Sequence, residues 1–306
     1  MAIVKTDVPM TSERNWQTVR ELSRRYPSIR TENLVWSAFG RPIPVVTLGT
    51  GGRKVLFSAS HHANEWITTP VLLKFLEQLA EGGETGEPLG GKSPRKLLQQ
   101  VTITAVPMVN PDGVDLVTGA IPSGSPQYER AEALALNYPA IPFPSGWKAN
   151  LNGVDLNLQY PAGWLQARNL KFEKGYRQPG PRDFVGDAPL NQRESFQLAR
   201  LTQKLAPDLT LALHSQGRVI YWQFENYRIP GARELGEKMA AASGYTLADT
   251  PYFSSFAGYK DWFIQAFRRP GYTLEVGQGE NPLPISQFDE IYKSVLGALL
   301  IASAGT

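Results

Sequence analysis

The chain of 306 residues contains no cysteine, which excludes disulfides, thiolate metal sites and cysteine nucleophiles. Histidine is nearly as scarce. With three in the whole chain, imidazole chemistry has to use His61, His62 or His214. No uncharged apolar run is long enough to cross a bilayer, and the longest, residues 294–306, reads as the end of a buried helix. Charge of one sign is lacking as well. Lys+Arg 31 against Asp+Glu 28 gives a net +3, and no dense basic run with interleaved aromatics marks a nucleic-acid surface. The opening MAIVKTDVPMTSERNW has no apolar stretch of signal-peptide length, so the expected location is the cytoplasm.

What is present is enough apolar sequence, 42% of residues, to build one large core. Strand-like and helix-like segments alternate throughout, which predicts an α/β fold: a single domain over residues 1–306, with a mixed, twisted sheet flanked by helices. Ser12 and Glu13 open a predicted helix running to residue 26. Residues 43–48, 54–60, 101–109, 208–213 and 272–276 are predicted strands. From Trp66 onward, Ile67, Val71, Leu72, Phe75 and Leu76 recur at helical spacing. Further helices are expected around Leu198, Leu201 and Leu205, over 231–243 and 259–269, and at the C-terminus. Asn110-Pro111-Asp112-Gly113 reads as a turn. Residues 117–190 are rich in Pro, Gly and Asn with little periodicity, and are expected to be loops around a cleft.

All three histidines end predicted strands, where open α/β sheets hold their ligands. His62-Ala63-Asn64-Glu65 places an imidazole and a carboxylate three positions apart at the entry to a helix. With His214 they would form a two-histidine, one-carboxylate set, which leaves one tetrahedral zinc position open for water. Each part alone is ordinary, since His-x-x-Glu recurs by chance and a strand-end histidine is usually only hydrogen-bonded. His61 is the weaker ligand candidate, because it points to the other side of its strand.

At this point the chain resembles the zinc metallocarboxypeptidase family. The resemblance rests on HHANEWITTP around His62 and Glu65, on His214-Ser215-Gln216, and on Glu275 in GYTLEVG, in the family's order. It implies one Zn2+ per chain, held by His62, Glu65 and His214. Glu275 would act as general base on a metal-activated water. GVDLN resembles a family motif in which Asp155 accepts the second N–H of His62 and Asn157 contacts a substrate carboxylate. Lys148 falls where the family carries an oxyanion-stabilising arginine, and Tyr252, with Tyr259 as fallback, corresponds to its lid tyrosine.

Two departures bear on specificity. Leu158 stands where the family has an arginine that clamps the substrate's C-terminal carboxylate, and a leucine cannot do so. Lys260 stands at the floor of the side-chain pocket, where a cation favours an acidic group. HHANEWITTP, WKAN, GVDLN and HSQG are most similar to the bacterial γ-D-glutamyl-L-diamino acid endopeptidases. That branch implies peptidoglycan stem peptides as substrate and cleavage of the γ-D-Glu to meso-diaminopimelate bond, with Arg218 a candidate for the D-Glu α-carboxylate. The alternatives are a carboxypeptidase removing acidic C-terminal residues and a non-enzymatic cell-wall-binding module. Nucleic acid and membrane are not expected partners. Release to wall or spore stays open beside the cytoplasmic expectation.

Overall fold

The computed structural model describes residues 2–305. Eight strands form one sheet: β1 (Ile29–Trp36), β2 (Pro42–Leu48), β3 (Arg53–Ala59), β4 (Val101–Val106), β5 (Leu209–His214), β6 (Val219–Tyr221), β7 (Thr246–Ala248) and β8 (Gly271–Glu275), in the order β1-β2-β4-β3-β5-β8-β6-β7. The centre, β4-β3-β5-β8, is parallel, while the pairs β1/β2, β2/β4 and β6/β8 are antiparallel. The expected mixed α/β fold is therefore present.

Alternation along the central strands explains why both faces are covered. Val55, Phe57 and Ala59 of β3, with Leu209, Leu211 and Leu213 of β5, pack into one core layer. Helices Ser12–Arg25, Thr68–Thr85, Ala232–Ser243 and Phe288–Ala304 supply that layer's other side. Leu56 and Ala212 face the opposite layer, with Tyr160, Leu198 and Trp262. From β3 the chain crosses to β4 on one flank and later returns as β5 on the other. The order thus reverses at β3, and a crevice opens beyond the carboxyl ends of β3 and β5.

Several elements differ from the sequence expectation. Thr11, not Ser12, caps the first helix, its side chain accepting from the Arg14 N–H. Asn110 to Gly113 is no simple turn: Asn110 caps helix Pro111–Val117, whose first residue is proline. Residues 117–190 are not all loop, since helices Pro126–Ala135 and Trp164–Glu173 lie within them. Each buries at most two residues, so neither imprints a helical period on the sequence.

Candidate metal centre and active site

The site is assembled by strand ends. After β3, Ser60 adopts a left-handed conformation (φ 49°). Its N–H donates to Thr68 Oγ1 (3.0 Å), and its hydroxyl lies 2.7 Å from Thr69 Oγ1. A single 3-10 turn, Ala63–Glu65, follows and brings His62 and Glu65 to one side. Two outside contacts hold it: the Ala63 N–H donates to the Lys148 carbonyl (3.0 Å), and the Asn110 amide donates to the carbonyls of His61 (3.2 Å) and Ala149 (3.0 Å).

His214 arrives from the end of β5, and the three predicted ligands converge. Glu65 Oε1 lies 2.8 Å from His62 Nδ1, Glu65 Oε2 lies 2.9 Å from His214 Nδ1, and the two Nδ1 atoms are 3.2 Å apart. One ligand atom from each residue falls within 4.8 Å of the others, and all three residues are buried. Two imidazole nitrogens and two carboxylate oxygens crowd one point, and the two Nδ1 atoms face each other with no acceptor between them. A divalent cation resolves that conflict, and two histidines with a carboxylate are a zinc-type donor set. The residues therefore fit the metal. His61 stays outside: its Nε2 lies 3.2 Å from Tyr160 Oη and its ring stacks on His214.

The charges of these groups act strongly on one another. Burial alone would depress the His62 imidazolium, but Glu65 and Asp155 outweigh it and carry the group to about 9. Asp155 Oδ1 sits 3.2 Å from His62 Nε2, so the imidazole is held at both nitrogens. Burial opposes ionisation of Asp155 too, yet His62 and Lys148 hold it well below the usual carboxylate range. Lys148 Nζ reaches within 3.3 Å of Glu65 Oε1. Burial disfavours its charge, and Glu65 more than restores it. Glu275, beside His214 in the β5/β8 register, is shifted upward by burial and by the charge of Glu65.

These groups line a cavity of about 770 Å³, which also takes in Asn157, Leu158, Phe253 and Lys260. Asn157 accepts from the Tyr259 N–H through Oδ1 (3.0 Å), and no protein acceptor among the described residues takes its amide N–H groups. Leu158 belongs to the second core layer. Lys260 is not the lone cation expected at the pocket floor, for it is ion-paired with Asp261 and donates to the Gln223 carbonyl (2.7 Å).

Two predicted residues sit elsewhere. Arg218 does not line the cavity; its guanidinium is ion-paired with Glu290. Tyr252 borders a neighbouring cavity of about 710 Å³, its hydroxyl accepting from Gln166 Nε2 (3.0 Å), while Phe253 beside it lines the first. Tyr259 does line the first cavity, but it is buried, with its hydroxyl turned to that of Thr202 (2.9 Å). Sequence reasoning missed Arg182, Lys171 and Lys174, which also line the cavity. They come from the Pro- and Gly-rich segment, where nothing periodic marks individual side chains.

A sheet crevice with a buried His-Glu-His set, a neighbouring carboxylate and a cation defines a metal-dependent hydrolase. The chain belongs to the zinc carboxypeptidase family, whose model matches residues 16–297, and it is a zinc metallopeptidase. It is 43% identical over 282 residues to γ-D-glutamyl-L-diamino acid endopeptidase 1 of Lysinibacillus sphaericus, covering 92% of this chain and 69% of that protein. Bovine thrombin-activatable fibrinolysis inhibitor has the same fold at 16% identity, with a TM-score of 0.75 over 98% of this chain and 97% of the other. The murein-tripeptide amidase MpaA of Escherichia coli O157 matches with a TM-score of 0.53 at 20% identity, over 88% and 91% of the two chains.

Proposed function

We propose that this peptidase hydrolyses the γ-D-glutamyl bond to diaminopimelate in peptidoglycan stem peptides. One observation carries the reading. At the cavity wall the position of the carboxylate clamp is filled by Leu158, packed into the core, so a peptide can continue beyond the cut. The activity named for the Lysinibacillus relative supports the substrate class.

When bound, zinc supplies Lewis acidity and lowers the pKa of water toward neutrality. Glu275 takes the proton from the attacking water and returns it to the leaving amine, a task suited to a carboxylate whose proton affinity burial has raised. Lys148 opposes the negative charge that develops on the scissile carbonyl oxygen. Asp155 fixes the tautomer and orientation of His62. Asn157 donates its free amide to substrate, and Tyr252, on the neighbouring cavity, is given no part in the reaction.

Lys260 and Asp261 together present a cation and an anion inside the cavity. The distal end of diaminopimelate carries an anion and a cation. An acidic C-terminal residue would satisfy Lys260 and oppose Asp261, which disfavours the acidic-carboxypeptidase alternative. The role considered for Arg218 is set aside, because its guanidinium is engaged outside the cavity.

The test is direct. Zinc-loaded protein is incubated with L-Ala-γ-D-Glu-meso-diaminopimelate and with a peptide ending in L-Glu, and the products are weighed by mass spectrometry. Free diaminopimelate from the first is expected; release of only the terminal Glu from the second would reject the assignment.

A further inference from the structure

A γ-linkage has a chemical consequence. The residue that donates the scissile carbonyl keeps a free α-carboxylate, which an ordinary peptide lacks at that position. If the substrate reading above holds, the acyl side of the cavity needs a cation that neither the metal centre nor the Lys260 pocket provides.

Arg182 meets that need. Its Nε donates to Asp183 Oδ2 (2.6 Å), and among the described residues nothing accepts from its two terminal nitrogens. The side chain lines the cavity and remains 40% exposed. Asp183 is also ion-paired with Lys171, so two cations share one carboxylate and positive charge is left over. A guanidinium with both terminal N–H groups free is a ready fork for a second carboxylate.

Its position is fixed by bonds to the segment that builds the metal site. The Pro181 carbonyl accepts from the N–H groups of Lys148 (2.7 Å) and Ala149 (2.9 Å), and the Asp155 N–H donates to the Phe184 carbonyl (2.9 Å). Asp183 is held in a left-handed conformation (φ 65°), with its N–H directed at Asp155 Oδ2 (3.4 Å). The bonds from the Lys148 and Ala149 N–H groups to the carbonyl of Pro181, the residue before Arg182, place Arg182 on the Lys148 side of the site.

We propose that Arg182 is the receptor for the free α-carboxylate of the γ-linked D-glutamyl residue, on the acyl side of the cut.

The experiment compares L-Ala-γ-D-Glu-meso-diaminopimelate with its α-carboxamide analogue, in which D-isoglutamine replaces D-Glu. A hydrogen-bonded charge pair of this kind is worth about tenfold to a hundredfold in affinity. The wild-type enzyme should lose that factor in kcat/KM on amidation, chiefly through KM. Arg182→Gln should turn over both peptides at a similar, reduced rate, and Arg182→Lys should recover part of the preference for the acid. Calorimetric titration with the products L-Ala-D-Glu and L-Ala-D-isoglutamine should show the same discrimination without turnover, lost in Arg182→Gln. Wild-type indifference to amidation, or undiminished discrimination in Arg182→Gln, would overturn the assignment of Arg182 while leaving the peptidase reading in place. Failure of the wild type to cleave either peptide would instead defeat the substrate reading, and this proposal with it.

Discussion

At the scale of single residues, the candidate metal site was legible because its residue types are rare. Three histidines, all at strand ends, left few combinations, and His62, Glu65 and His214 do converge. The basic residues of the cavity wall were not legible. Arg182 and Lys174 sit among other cations in an aperiodic segment, and only the fold shows which of them face inward. Lys260 could be placed by motif, but its neutralisation by the adjacent Asp261 required coordinates. Glu275→Gln should lower kcat by about 10²- to 10⁴-fold, the usual weight of a general base, while zinc content stays at the wild-type level. Metal analysis alongside steady-state kinetics checks this, and unchanged kcat would remove Glu275 from the proposed proton transfer.

Glu194 gives a second prediction at this scale, one of stability. It is buried, and neither carboxylate oxygen makes a hydrogen bond of good geometry, although the Asn150 amide and the Ala38 N–H lie near enough to favour its charge. Burial raises it from 4.5 to about 6. The folded state therefore holds this proton more tightly than the unfolded chain does. That contribution is complete below 4.5 and is lost as pH rises through about 6. Glu194→Gln cannot titrate, so it should stabilise the protein by up to about 2 kcal/mol at pH 8 and by little at pH 4.5. Urea denaturation at the two pH values reads the difference, and a pH-independent effect would contradict the account.

At the scale of elements, legibility followed burial. The parallel strands are largely buried on both faces and announced themselves in the sequence, with bounds shifted by a few residues at most. β1 was missed because most of IRTENLVW is exposed at the sheet edge, which leaves no apolar alternation to read. β6 and β7, three residues each, are too short to carry a period. The same burial predicts where damage is greatest. Leu211 lies in β5 between β3 and β8, with no exposed surface. Leu211→Ala should cost about 2–5 kcal/mol in chemical denaturation, from lost transfer energy and the cavity left behind. A loss below 1 kcal/mol would mean that β5 is packed more loosely than the structure indicates.

At the scale of the whole molecule, the reversal of strand order at β3 does most to create function. It opens the crevice into which β3, β5 and β8 deliver His62, His214 and Glu275. The segment between residues 136 and 190 then walls the crevice with Lys148, Asp155 and Arg182. The central claim, that this architecture gathers three side chains from distant parts of the chain around one zinc ion, has a direct test. Zinc-edge anomalous diffraction from crystals of the zinc-loaded protein should show one strong peak per chain, bonded to Nδ1 of His62, Nδ1 of His214 and the carboxylate of Glu65. A peak bonded to other residues, or none at these three in crystals grown with excess zinc, would contradict the account.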